Sequence, residues 1–211
     1  MIDHTLLAPE ATRADVEAAA STAASRSCAS VCVQPAMVQY AREVVGDRVR
    51  VCSVVGFPHG ANLSESKATE AALAVASGAA EIDMVADLSA IADGDDMAVS
   101  ADVARVRAAV PNAVLKVILE SALWSAPQLR MATQSAIDGG ADFVKTSTGF
   151  HPSGGASTEA VALMAEVSAG RALVKASGGI RDLATAQAMI DAGATRLGLS
   201  GTEAILAEAE A

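Results

Sequence analysis

Of the fifteen basic side chains in this 211-residue chain only four are lysines, Lys67, Lys116, Lys145 and Lys175, and three of these interrupt apolar, β-branched runs. The runs read Leu115-Lys116-Val117-Ile118, Phe143-Val144-Lys145-Thr146 and Leu173-Val174-Lys175-Ala176, and Ile82-Asp83-Met84 sets an acid in the same context. An ammonium pressed against apolar helices has no partner, so the three lysines are expected on the other face of their strands. Period-two alternation puts Ile118 and Glu120 on the face of Lys116, and Ser147 on that of Lys145. Two roles fit. One is a structural network of buried ion pairs, Lys116 with Glu120 or Asp83. The other is amine nucleophilic catalysis. A lysine attacks a carbonyl only when neutral, and its ordinary pKa near 10.4 keeps it protonated. A second ammonium within ~6 Å raises the energy of the charged form by ~3 kcal/mol at an effective dielectric of ~20. No structural role requires such like-charge repulsion, which favours the catalytic reading. Asp83 would then move protons at the carbinolamine and enamine stages. Spacing does not say whether Lys145 or Lys175 attacks.

The elements that must carry these groups alternate from end to end. Runs at 2–5, 30–34, 49–55, 81–85, 114–120, 143–147, 173–177 and 196–200 predict strands. Stretches near 12–26, 36–45, 64–77, 95–109, 125–138, 157–168, 182–191 and 201–209 predict helices, with Thr12, Ser64, Asp95, Ser125, Ser157 and Asp182 as caps. Three junctions repeat one phrase: Ser77-Gly78-Ala79-Ala80, Gly139-Gly140-Ala141-Asp142 and Ala192-Gly193-Ala194-Thr195. Each sets glycine just past a helix end, where a left-handed residue is needed. Eight βα units call for a parallel sheet, and at this length for an α/β fold of the closed (β/α)8, or TIM barrel, type, one catalytic domain over 1–211. An open doubly wound sheet is the alternative; it would usually carry a glycine-rich loop after its first strand, and none is here.

Composition narrows the partners. Apolar residues make up 52% of the chain and aromatic ones 2%, so small aliphatic side chains must build the core. A net charge of −10 with no basic run argues against nucleic acid and anionic membranes. Cys28, Cys32 and Cys52 form no CxxC, and no His stands at ligand spacing, so no metal is expected and a reduced compartment is. Met1-Ile2-Asp3-His4 lacks the basic start of a signal peptide, and no window reaches the ~18–20 apolar residues of a membrane span. A cytoplasmic protein is the expectation.

Three small-residue loops follow the sixth to eighth strands: Thr146-Ser147-Thr148-Gly149, Ser177-Gly178-Gly179-Ile180 and Gly198-Leu199-Ser200-Gly201. Grouped there, they match the corner where such barrels bind phosphate through backbone N–H groups and a helix N-terminus. Gly56-Phe57-Pro58-His59-Gly60 is expected at the site's rim, while His59, His4 and His151 have no assigned chemistry. A buried, inert thiol is the simpler reading of Cys32.

Taken together, these motifs resemble the deoxyribose-phosphate aldolase family along nearly the whole chain. The resemblance is carried by Ile2-Asp3-His4-Thr5-Leu6-Leu7, Ser30-Val31-Cys32-Val33, Val55-Gly56-Phe57-Pro58 and Glu81-Ile82-Asp83-Met84-Val85. It continues through Leu115-Lys116-Val117-Ile118, Ala141-Asp142-Phe143-Val144-Lys145-Thr146-Ser147-Thr148-Gly149-Phe150 and Val174-Lys175-Ala176-Ser177-Gly178-Gly179-Ile180-Arg181. It implies a class I, Schiff-base aldolase without metal or cofactor, cleaving 2-deoxy-D-ribose 5-phosphate to D-glyceraldehyde 3-phosphate and acetaldehyde as a homodimer or larger homo-oligomer. By that likeness Lys145 is the nucleophile, Lys175 the neighbour that depresses its pKa, and Asp83 the proton-relay acid. Asp3, Thr5, Cys32, Lys116 and Thr146 line the site; Gly149, Gly178, Gly179, Gly198 and Ser200 hold the phosphate. Here Ser200 is followed by Gly201, where family members often carry a second serine. The rival readings are a Schiff-base aldolase for another phosphorylated sugar, and a barrel that binds sugar phosphate without turning it over.

Overall fold

The predicted alternation closes on itself in a computed structural model, which describes residues 1–210. Eight parallel strands form the barrel: β1 (Ile2–Leu6), β2 (Ser30–Val33), β3 (Arg50–Val55), β4 (Glu81–Val85), β5 (Val114–Ile118), β6 (Phe143–Lys145), β7 (Leu173–Ser177) and β8 (Arg196–Leu199). They pair in chain order, and β8 pairs back onto β1. Around them lie α1 (Arg13–Ser25), α2 (Val38–Val45), α3 (Ser64–Ala76), α4 (Leu88–Asp93), α5 (Asp96–Ala109), α6 (Ala126–Asp138), α7 (Thr158–Ser168), α8 (Leu183–Asp191) and α9 (Thr202–Ala209).

The core lies between strands and helices. Val31, Val51, Ile82, Leu115, Val117 and Val144 face outward from the barrel onto buried alanines such as Ala20, Ala41, Ala71 and Ala132. Small helix residues bring the helical layer close, which is how a chain with so few aromatics fills its interior. No helix among the described residues is long and apolar enough to cross a membrane.

Most expected boundaries hold, and the departures have local causes. Thr12 and Ser125 form capping boxes, and Asp95, Ser157 and Asp182 accept from backbone N–H groups of their first turns. Ser64 does not cap: Leu63 occupies that place, and the Ser64 hydroxyl bonds the Asp102 carboxylate instead. The short α4 escapes a periodicity search, but Asp87 caps it by accepting from Ser89 and Ala90. Gly78, Gly140 and Gly193 all take positive φ, as the repeated junction requires. Strand β5 stops at Ile118 and β6 at Lys145, each two residues short of the expected end.

The fourth lysine is buried as well. Lys67 on α3 bonds Asp102 on α5 at 2.8 Å, and Asp102 also takes the Asp87 N–H, so one ion pair ties two helices to the loop after β4. Removing one partner of a buried pair strands the other charge and costs ~3–5 kcal/mol. Lys67→Met is therefore expected to lower unfolding free energy by that order in urea titrations, and adding Asp102→Leu to restore most of it; an unchanged midpoint in the single variant would refute the tie.

Candidate active site

Strand register brings the expected groups together. Asp83 on β4 is the direct neighbour of Lys116 on β5, Lys145 on β6 that of Lys175 on β7, and Gly198 on β8 that of Asp3 on β1. Their side chains meet inside the barrel. Asp83 Oδ2 accepts from Lys145 Nζ at 2.8 Å and from Lys175 Nζ at 2.7 Å, while Oδ1 accepts from Lys116 Nζ at 2.7 Å and from the Cys52 thiol at 3.1 Å. Lys175 also bonds Asp3 Oδ2 at 2.5 Å, and Lys116 bonds Glu81 Oε2 at 2.7 Å with Asp3 at 3.6 Å. Arg196 closes the lower layer, donating to Asp3 Oδ1 at 2.6 Å and Glu81 Oε2 at 3.3 Å.

Four cations thus face three carboxylates, nearly all without solvent contact. Burial alone would raise Asp83, but Lys116, Lys145 and Lys175 outweigh it and hold its carboxyl well below the usual carboxylate range. Asp3 is likewise held low against burial, by Lys175 and Lys116. Burial would pull the lysines down; Asp3 and Asp83 instead keep Lys175 above the ordinary lysine range, and Asp83 with its neighbours keeps Lys116 well above it. The Asp83 carboxylate thus stands between the Lys145 and Lys175 ammoniums. Two bonds to one oxygen still keep the Lys145 and Lys175 nitrogens within about 5.5 Å. At that range and an effective dielectric of ~20 the direct repulsion is ~3 kcal/mol.

Above this layer opens a cleft of about 520 Å³ at the C-terminal ends of the strands. Thr5, Lys145, Thr148, Gly149, Phe150, Gly178, Gly179, Gly198 and Ser200 line it, so Lys145 alone of the three lysines reaches its wall. Gly149, Gly178 and Gly179 all adopt positive φ, and a Cβ on Gly155 would lie 2.2 Å from the Gly178 carbonyl oxygen. The loop after β6 therefore rests directly on the backbone after β7. Gly198 makes room of another kind, because a Cβ there would stand 3.2 Å from Lys175 Cε.

Several expected residues lie elsewhere. Thr146 is fully buried below the cleft, its hydroxyl bonded to the Ser177 carbonyl and accepting from the Ser177 N–H, so it stitches β6 to β7. Cys32 sits beneath Leu7 and Phe57 beside Cys52 and Val54, also without solvent contact. Glu120 does not share the face of Lys116; past the end of β5 it turns left-handed and bonds Thr148. His4 is buried against Thr202, and His59 is exposed. Glu81 and Arg196, both in the cluster, were missed, although Glu81 lies two residues before Asp83 and so shares its face. Arg181, which joins Lys145 and Glu10 as a charged side chain of the cleft wall, was not marked either. Cys32, Cys52 and Asp83 bring two thiols and a carboxylate within 4.8 Å of one another, a donor set for a soft divalent cation. The ammoniums already bonded to Asp83 occupy its oxygens, so a cation could enter only by displacing Lys116.

A parallel eight-stranded barrel with a lysine at the wall of its C-terminal cleft defines the broad class of barrel enzymes to which amine-dependent aldolases belong. The chain matches the family described as DeoC/LacD family aldolase over residues 1–206, and it belongs to that family. It is 62% identical over 209 residues to a protein of Mycobacterium avium (strain 104) named deoxyribose-phosphate aldolase, covering 97% of this chain and 93% of that one. Among solved structures, the deoxyribose phosphate aldolase of Aeropyrum pernix, described as a unique tetramer, superposes with a TM-score of 0.90 at 35% identity, over 100% of this chain and 89% of that one. An aldolase called QR15 superposes at 0.93 and 39% identity, over 99% and 93%.

The charge cluster sets how stability follows pH. Asp3 and Asp83 titrate lower in the fold than when unfolded, so their contribution is complete above about pH 4 and fades as pH falls through their folded values. His4, lowered by burial, disfavours its protonated form, so its contribution is complete only above about pH 6.5. Lys116 and Lys175, raised, contribute fully below about pH 10.4 and lose that only above it. Urea unfolding is expected to give a plateau between about pH 7 and 10 with losses on both sides; a maximum near pH 5 would contradict the assignment.

Proposed function

We propose that this chain, acting over 1–211 as one catalytic barrel, is a Schiff-base aldolase that reversibly cleaves 2-deoxy-D-ribose 5-phosphate to D-glyceraldehyde 3-phosphate and acetaldehyde. The observation that carries the reading is the unequal footing of the three lysines. Lys116 has three carboxylates around it and Lys175 two, whereas Lys145 has only Asp83 and borders the cleft. Loss of the Lys145 proton removes a single ion pair and takes the cluster from four cations against three carboxylates to three against three. The name of the Mycobacterium avium relative and that of the Aeropyrum pernix structure support the substrate.

In this reading neutral Lys145 Nζ adds to the substrate aldehyde carbon, and the carbinolamine loses water to give an iminium. A base takes the proton of the hydroxyl on the third carbon, the bond between the second and third carbons breaks, and its electrons reduce the iminium to an enamine as glyceraldehyde phosphate departs. Proton return to the enamine carbon and hydrolysis release acetaldehyde and free Lys145. Asp83, an unprotonated carboxylate within hydrogen-bond reach of Lys145, serves as the relay. Lys175 stays charged and opposes reprotonation of its neighbour, while Lys116 and Asp3 hold Asp83 and Lys175 in place. Gly149, Gly178, Gly179, Gly198 and Ser200 take the phosphate, with Arg181 adding charge; Thr5 lines the wall. Thr146 and Cys32 act from beneath. The tetrameric relative supports a homo-oligomer, and the three free, buried cysteines support a cytoplasmic setting.

Incubation with acetaldehyde and borohydride, followed by peptide mass mapping, is expected to leave an ethyl group on Lys145. Lys145→Leu should fold, give no adduct and lower kcat by ~10⁴-fold or more. An adduct on Lys175 would reverse the two roles, and a folded protein with no adduct would end the Schiff-base reading.

A further inference from the structure

Among the described residues three non-glycines lie in the left-handed region, and of these only Glu120, at φ +53°, stands at the mouth of the barrel. Its neighbours explain how the backbone is held there: Leu119 N–H donates to the Lys145 carbonyl at 2.9 Å and Ser121 N–H to the Thr146 carbonyl at 2.8 Å. The segment after β5 therefore runs along the chain leaving β6, residue by residue. Left-handed backbone is costly for any residue with a Cβ and nearly free for glycine. A glutamate at such a position must be there for its side chain, and that side chain has no solvent contact.

The carboxylate is spent on one residue. Glu120 Oε2 accepts from the Thr148 hydroxyl at 2.6 Å, and both oxygens accept from the Thr148 N–H at 3.3 Å. The same hydroxyl accepts from Phe150 N–H at 3.0 Å. Phe150 in turn packs edge-on against Phe57, ring centroids 5.2 Å apart, across the rim from the loop after β3. A single chain of contacts thus runs from Glu120 through Thr148 to Phe150 and brackets Gly149, which has a φ of +82° and lines the cleft wall. None of these side-chain contacts reaches the side chains of Lys145, Lys175 or Asp83, and no cation of the cluster pairs with Glu120.

We propose that Glu120 is a positioning residue for phosphate recognition: through Thr148 it fixes the Thr148–Phe150 turn so that Gly149 meets the phosphate of the aldehyde acceptor, and it takes no part in the amine chemistry. This rests on the proposed placement of the phosphate at Gly149. The division is sharp because the side chain acts on a turn that begins three residues beyond Lys145.

The experiment compares kcat/KM for addition of acetaldehyde to D-glyceraldehyde 3-phosphate and to unphosphorylated D-glyceraldehyde, in wild type, Glu120→Gly and Thr148→Ala. Glu120→Gly relieves the backbone strain, so its fold is kept while the carboxylate is lost. Displacement of a binding group by about 1 Å costs ~10²-fold, so a loss of phosphate preference of ~10- to 100-fold is expected, through KM and not kcat. The rate of borohydride trapping with acetaldehyde, which carries no phosphate, should match wild type. Thr148→Ala should reproduce the effect, and the double variant should be no worse than either single one. Intact phosphate preference in a folded Glu120→Gly protein would overturn the proposal, as would an equal loss with both acceptors or slowed trapping, either of which would assign Glu120 to Lys145. A wild-type enzyme indifferent to the phosphate would instead overturn the placement of the phosphate itself, and this proposal with it.

Discussion

One carboxylate, that of Asp83, accepts hydrogen bonds from three lysines on three successive strands and from a thiol on a fourth. Moving an ammonium from water to a dry interior costs several kcal/mol even after relaxation, and three such groups without an acid among them would not stay in this barrel. The bond network also dictates register: a slip of one residue in β4 would turn Asp83 into the helical layer and Ile82 into the charge cluster. Closed topology matters for the same reason, since strands facing one another across a barrel can all aim at one atom, which strands of an open sheet cannot. Asp83 is thus at once the electrostatic centre of the barrel interior and the one carboxylate bonded to the lysine at the cleft wall.

Around it the molecule separates two tasks. Outside the barrel, alanine and valine packing with the Lys67–Asp102 pair hold helices to strands. Inside, the polar layer carries charge in graded amounts, richest in compensation at Lys116 and poorest at Lys145. The gradient follows depth: compensation falls as the cleft is approached. What distinguishes the three lysines is the number of their carboxylate partners, since all three lie close to one another around Asp83.

Much of this was legible from residue types. Lysine inside an apolar run has one tenable direction, so Lys116, Lys145, Lys175 and Asp83 could be placed on the inner face before any coordinates, and the repeated glycine junctions carried the βα period. What was not legible depends on register and on backbone signs. Cys32 and Cys52 are 20 positions apart yet face each other because β2 and β3 pair there. The family resemblance put Thr146 at the site, but its hydroxyl is a stitch to β7. Glu120 was misplaced for a different reason: alternation assumes extended backbone, and its positive φ breaks the alternation. Arg196 and Glu81 obey the same alternation as Gly198 and Asp83, so their inward direction was legible although neither was singled out.

The closure of β8 onto β1 ties the chain's beginning to its end. Asp3 bonds Lys175 across 172 positions and Arg196 across 193. A ribosome releases β1 first and its final partner last, so at ~5–20 residues per second Asp3 waits many seconds for its counter-charges. Until then β1 is an open strand edge with a buried acid unpaired, and the nascent barrel can hold neither the full charge cluster nor its completed wall. Such long-range pairing folds slowly, because loop closure precedes its reward. The charge cluster is therefore completed only with the topology: a chain without β8 leaves an edge of β1 unpaired and Asp3 without Arg196.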